Sequence, residues 1–168
     1  MNITTRPAQQ PDLPAVAELF DLYRQFYEQA PNWALALDFV TQRFTRNESV
    51  ILVAENPQGT LVGFCQLYPS FCSVEAQPIF VLYDLFVNET ARTHGAGRLL
   101  LQAAEAHAAR TGKARMDLTT AKTNLKAQRL YEATGWTRDE VFFAYNRWVK
   151  ADTTANAEGG EFSGYPTR

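Results

Sequence analysis

The stretch RTHGAGRLLLQAAEAHAARTG, Arg92–Gly112, sets two glycines at the mouth of a Leu- and Ala-rich helix. Glycine is a poor helix former, so its presence there asks for a backbone that turns sharply or approaches something closely. Leu100, Ala103, Ala104 and His107 recur at helical spacing behind it. A helix start leaves N–H groups unpaired and carries partial positive charge, and both favour an anion such as phosphate. The same glycines also suit a helix that simply packs tightly on a sheet. Two familiar phosphate loops do not fit. Gly97 is followed by Arg98 and Leu99 where a Walker loop needs Lys and Ser or Thr. GAGRLL also lacks the third glycine of a dinucleotide fold.

Outward from this loop, PIFVLYDLFV precedes the glycines as a strand and ARMDLTT follows the helix as another. Strand, glycine turn, helix, strand and helix in this order predict a parallel β-α-β arrangement. Upstream, SVILVAE and TLVGFCQLY flank NPQG and predict a hairpin, with PSFCSVEAQ as a looser connection to the next strand. A first strand is expected around Ile3–Arg6. PDLPAVAELFDLYRQFYEQ predicts a helix capped by Asp12, with Pro14 in its first turn, and a second helix covers Leu35–Phe44. VFFAYNRWV, residues 141–149, is expected to close the domain as a strand. The fold class is α/β (α+β): a central mixed, mostly antiparallel sheet with helices on both faces. One domain over residues 1–150 and a polar, flexible tail over 151–168 are expected, with Phe162 and Tyr165 able to dock on a neighbour.

Of the 168 residues, 46% are hydrophobic and 20% charged, which suits a soluble folded chain. No apolar run approaches the roughly 20 residues of a membrane span. The start MNITTRPAQQPDLP lacks the basic and apolar segments of a signal peptide, so a cytoplasmic location is expected. Cys65 and Cys72 match neither CxxC nor zinc spacing, and the two histidines, His94 and His107, fall on the glycine loop and its helix. Neither a metal site nor cysteine catalysis is therefore expected. Net charge is −2, which argues against nucleic acid, but its distribution is uneven. Residues 1–90 hold 4 basic and 10 acidic side chains, and residues 91–150 hold 11 and 5. Such a split suits two ligands of opposite sign, or two solvated surfaces.

The loop RTHGAG, Arg92–Gly97, and the later NLKAQRLYEATGW, with Asn124, Ala127, Leu130, Tyr131 and Gly135, together resemble the GNAT superfamily of N-acetyltransferases over roughly residues 3–149. The closer look-alikes acetylate polyamines or basic protein tails and share DLFV-like strands, the LYE segment and a terminal aromatic strand. The resemblance implies acetyl-CoA as donor and an amine as acceptor, reacting directly in a ternary complex. It implies cofactor contacts from Leu85, Phe86 and Val87, with backbone groups of Phe86 and Val87 holding the acetyl carbonyl and the pantetheine. Further contacts are implied for Arg92, Thr93, His94, Gly95, Ala96, Gly97, Arg98, Asn124, Ala127 and Tyr131. Arg92 and Arg98, with Lys122, Lys126 and Arg129, would supply positive charge near the phosphates.

Asp84 lies in the middle of an apolar strand, where an acid is costly unless it meets a cation, a donor or water. Alternation would set it on one face with Leu82 and Phe86. It is the candidate base or amine ligand, with a structural carboxylate as the other reading. The resemblance makes Tyr131 the candidate general acid, whereas its helical stripe with Ala127, Leu130 and Thr134 makes it a core aromatic. Asn124 either bonds the pantetheine or caps the helix. An acidic, aromatic-rich first half favours a cationic acceptor, with Tyr23, Tyr27, Tyr68 and Asp84 as substrate contacts and Trp33 and Phe71 nearby. The expected function is acetyl transfer to a small, polyamine-like primary amine by a homodimer. The alternatives are a protein lysine or N-terminal acetyltransferase, or a noncatalytic acyl-CoA-binding module.

Overall fold

The computed structural model describes residues 2–149, apart from the side chain of Thr93. The expected tail, with Phe162 and Tyr165, and the expected contact of the Thr93 side chain lie outside the described residues. The chain divides into two units at Trp136/Thr137, and each is taken by itself.

The first unit carries β1 (Thr4–Pro7), α1 (Leu13–Phe26), α2 (Trp33–Thr45), β2 (Val50–Glu55), β3 (Leu61–Cys72), β4 (Gln77–Val87), α3 (Ala96–Arg110), β5 (Met116–Asp117) and α4 (Leu125–Glu132). The strands form one sheet in the order β1-β2-β3-β4-β5, antiparallel except for the parallel pair β4–β5. Period-two alternation builds a core on each face. Ile51 and Val53 of β2 pack with Val16, Phe20, Ala36 and Val40 of α1 and α2. Leu52 and Ala54 pack with Leu100, Leu101 and Ala104 of α3. No helix among the described residues is long and apolar enough to cross a membrane.

Three local expectations change. Asp12 makes no side-chain cap on α1. It pairs instead with both terminal nitrogens of Arg6, at 2.6 and 3.0 Å, and accepts the N–H of Gln9 at 2.7 Å. PSFCSVEAQ is not a loose connection, because β3 runs on to Cys72 and pairs with β4 down to Gln77. Pro69 is tolerated in that ladder because its missing N–H falls on the side where β2 has already ended at Val50.

The third change concerns β4. Gln66 pairs with Asp84 and Leu67 with Leu82, so Tyr83 is an extra residue, a β-bulge. The bulge reverses the alternation, and Leu82 and Phe86 do not share a face. Leu82 packs in the α3 core and Phe86 in the α1–α2 core, and Asp84 follows Phe86 by bonding Tyr23 of α1.

In the second unit, residues 137–149 form no strand, contrary to the closing strand expected at 141–149. The Asp139 carboxylate accepts the N–H groups of Val141 at 2.8 Å and Phe142 at 2.9 Å, donors that a ladder would need.

Candidate active site

Pairing between β4 and β5 is short, Phe80↔Met116 and Val81↔Asp117 only. Beyond it β4 has an open edge from Leu82 to Val87, and a cavity of about 420 Å³ lies against that edge. Asn88 N–H donates to the Val62 carbonyl of β3 at 2.8 Å. Alternation from that bond turns the backbone groups of Phe86 towards β3 and those of Leu85 and Val87 towards the open edge. Phe86 thus offers its ring to the cavity, whereas Leu85 and Val87 offer peptide groups. One of these, the Val87 carbonyl, accepts from Arg92 Nε at 3.0 Å.

The glycine loop closes one end of the cavity. A 3-10 turn, Glu89–His94, leads to Gly95, whose φ of +79° only glycine adopts cheaply and which starts α3 with no side-chain cap. Gly97 is needed for a different reason. A Cβ there would come within 3.1 Å of Leu130 Cδ2, so the absent side chain lets α3 and α4 approach. Arg92 also bonds Glu89 at 2.8 Å and lies 5.7 Å over the Phe86 ring. Arg98 reaches the Ala133 carbonyl just past α4 at 3.1 Å. Both arginines nevertheless line the cavity, as do Gly95, Gly97 and Lys126. Ala96 is fully buried beneath the loop, and His94 is exposed.

The other end is aromatic, with Tyr23, Phe26, Tyr27 and Tyr83 in its wall. Asp84 sits behind that wall, 5% exposed. Its carboxylate accepts Gln66 Nε2 at 2.9 Å and bonds the Tyr23 hydroxyl. Burial pushes it up to about 6, while Gln66 and Tyr23, as donors to the charged form, hold it from rising further. Gln66 Nε2 also donates to Tyr68 Oη at 2.7 Å, and Gln66 Oε1 accepts from Ser49 Oγ at 2.9 Å. Tyr68 therefore reaches the site through this network and through its edge-on contact with Tyr83 at 5.7 Å. Trp33, at the start of α2, and Phe71, near the end of β3, stand exposed.

Tyr131 lines the cavity from α4 and meets the Trp136 ring at 6.1 Å. Burial, and then the nearby Tyr27, push its hydroxyl up to about 12, so it keeps its proton at neutral pH. Asn124 caps α4 by accepting the Ala127 N–H at 3.3 Å, and both residues also line the cavity. Sequence reading did not single out Gln66, Ser49, Phe26, Tyr83, Thr119 or Thr120 for the site. For Gln66 there was a signal, a polar amide within the apolar run GFCQLY, and the structure buries it fully. Thr119 and Thr120 just past β5 carried none, because only the divergence of β4 and β5 brings them to the wall. Cys65 is buried and its thiol is pushed up to about 12 by burial, which suits a structural side chain.

An open edge between two diverging parallel strands thus has an uncapped helix start and arginines at one end and an aromatic wall backed by a buried acid at the other. Comparison with known proteins gives the family. The sequence profile of the acetyltransferase (GNAT) family matches residues 13–136. An uncharacterized N-acetyltransferase of Bacillus subtilis, YhfO, is 46% identical over 145 residues, 86% of this chain and 95% of that protein. A probable acetyltransferase of Haemophilus influenzae is 36% identical over 85 residues, 51% of this chain and 58% of its own length. The crystal structure of a probable acetyltransferase superposes with a TM-score of 0.81 at 36% identity, covering 89% of this chain and 99% of the other. The chain belongs to the GNAT acetyltransferase family and is an acetyl-CoA-dependent N-acetyltransferase.

Proposed function

We propose that the acceptor is a primary amine on a small cationic, polyamine-like molecule, attacked directly with both substrates bound. The observation that carries this reading is the buried Asp84 carboxylate behind the aromatic wall of Tyr23, Tyr27 and Tyr83, opposite the arginine-lined end. Tyrosine faces hold cations, and a half-desolvated ring site is worth about 0.5–2 kcal/mol per contact.

The donor end suits acetyl-CoA. The uncapped α3 start, two glycines, Arg92, Arg98 and Lys126 match its phosphates, and the Leu85 peptide groups with the Val87 N–H match its amide-bearing arm. When bound, acetyl-CoA supplies the acetyl thioester and a thiolate leaving group. This chain's own residues then manage the protons. A lysine-like amine with a pKa near 10.4 costs about 4–5 kcal/mol to deprotonate at pH 7. With its titration raised to about 6, Asp84 is ionised at that pH and is a stronger base than an exposed carboxylate. Tyr131 Oη holds the proton needed by the departing sulfur. The Leu85 and Val87 N–H groups on the open edge would supply a donor to an acetyl oxygen.

The test is acetyl-CoA-dependent thiol release with polyamines, amino acids, aminoglycosides and lysine peptides. The highest kcat/KM is expected for a polyamine. A preference for lysine peptides would overturn the small-molecule assignment in favour of protein acetylation, and a preference for neutral amino acids would overturn the cationic one.

A further inference from the structure

Asp84 has the chemistry of a base but does not itself line the cavity. Tyr23 does, and its hydroxyl donates to the Tyr83 carbonyl at 3.4 Å, one residue before Asp84, whose carboxylate lies within its reach as the other acceptor. We propose that Tyr23 relays the amine proton to Asp84, and that Gln66 is the positioning residue that fixes the carboxylate for the transfer. This rests on the reading of Asp84 as the proton acceptor. In the relay the Tyr23 hydroxyl rotates from the Tyr83 carbonyl to an Asp84 oxygen; an amine N–H bond then breaks as a new Oη–H bond forms, and the original Oη–H bond breaks as its proton passes to that oxygen. Tyrosine ends neutral and Asp84 ends as a carboxylic acid, so the balance needs no further reactant.

The surroundings suit this path. Tyr23 is held by ring contacts with Phe20, Tyr27, Phe64 and Phe86 at 5.1–6.4 Å, which keeps its hydroxyl from swinging away. Gln66 is 0% exposed and has both ends occupied, Oε1 by Ser49 and Nε2 by Asp84 and Tyr68. The amide cannot flip without setting its oxygen against the carboxylate, so Asp84 keeps one oxygen on Gln66. The titratable groups around Asp84 are Tyr23 of α1, Tyr27 just past its end, and Cys65 and Tyr68 from β3, with Arg43 of α2 and Tyr83 of β4 acting on Tyr68. None is a cation bonded to the carboxylate, which leaves Gln66 and Tyr23 as the groups that hold it.

The experiment is the pH profile of kcat and kcat/KM for the wild-type protein, Asp84→Asn, Tyr23→Phe, their double variant and Gln66→Met, with thermal melts and acetyl-CoA binding as controls for folding. Tyr23→Phe retains the ring and its packing. It is expected to lower kcat by about tenfold or more with unchanged acetyl-CoA affinity. The double variant should be no slower than the slower single one, as for two steps in series. Gln66→Met removes a donor to the charged carboxylate and should move the acid limb to higher pH. Full kcat in Tyr23→Phe, or additive losses in the double variant, overturns the relay while leaving Asp84 as base. An unmoved acid limb in Gln66→Met overturns its positioning role. An acid limb that survives in Asp84→Asn overturns the underlying reading of Asp84 itself.

Discussion

The two ends of the cavity are built in opposite ways. The end proposed for the donor is local: Arg92, Gly95, Gly97 and Arg98 lie within seven consecutive residues at the start of one helix. The end proposed for the acceptor is assembled from far along the chain, since Asp84 meets Gln66 of β3, 18 residues away, and Tyr23 reaches the Tyr83 carbonyl across 60. A helix start offers its N–H groups by backbone geometry alone. A buried acid can only be kept by partners that tertiary packing delivers. Damage at the acceptor end should therefore fall on chemistry, and damage at the donor end on cofactor affinity and stability.

The largest effect is expected for Asp84→Asn, which should lower kcat by about 100-fold or more while acetyl-CoA binding, measured by calorimetry, stays near wild type. Parallel losses in both would make the acceptor end part of the cofactor site and erase the contrast. Tyr131→Phe comes next, with an expected fall in kcat of about 10- to 100-fold and little change in acetyl-CoA KM; equal damage to the two would assign Tyr131 to packing.

The pH dependence sharpens the same contrast. The Asp84 carboxyl is raised in the folded state, so the native protein binds its proton more tightly than the unfolded chain. The sign follows: stability is highest below the unfolded value near 4 and declines as pH rises towards about 6. With Asp84 as the proposed base, activity is expected to run the other way, rising through about pH 6 as the carboxylate becomes able to accept a proton, which the pH profile of kcat checks. Asp84→Asn should remove that stability decline and melt higher than wild type at pH 7, and a lower melting temperature would show that the carboxylate is stabilising instead.

Smaller effects belong to the glycines. Gly95→Ala puts a side chain on a φ of +79° and should cost about 1–2 kcal/mol of stability, read as a lower denaturation midpoint with weaker acetyl-CoA binding. Gly97→Ala should cost less than about 1 kcal/mol, because the opposing Leu130 Cδ2 ends a flexible side chain, and Leu130→Ala should relieve it. If Gly97→Ala proves the more harmful of the two, close backbone approach to the cofactor outweighs the turn.

Much of this architecture was legible in the chain itself. Apolar alternation in SVILVAE, the glycines before a Leu/Ala stripe and the Asn124–Tyr131 segment marked the mixed sheet, the helix start and the family. The cavity draws its aromatic, acid-backed end from the acidic first half and its arginine-lined end from the basic later segment. Hairpin length was misjudged because Pro69 and Ser70 look like loop residues until β2 is seen to end beside them. At VFFAYNRWV, β-propensity predicted a strand, but propensity supplies no ladder partner, and Asp139 takes two of its N–H groups.

The sequence by itself determined the family, the order of the elements up to Trp136 and the glycine turn into α3, because each depends on residues close along the chain. Only the tertiary structure decided which way Asp84 points. A single inserted residue in the β4 ladder, Tyr83, reverses the alternation and turns the acid from the face of Leu82 to that of Phe86 and Tyr23. Register is a property of two strands together, so no reading of β4 alone could have found it.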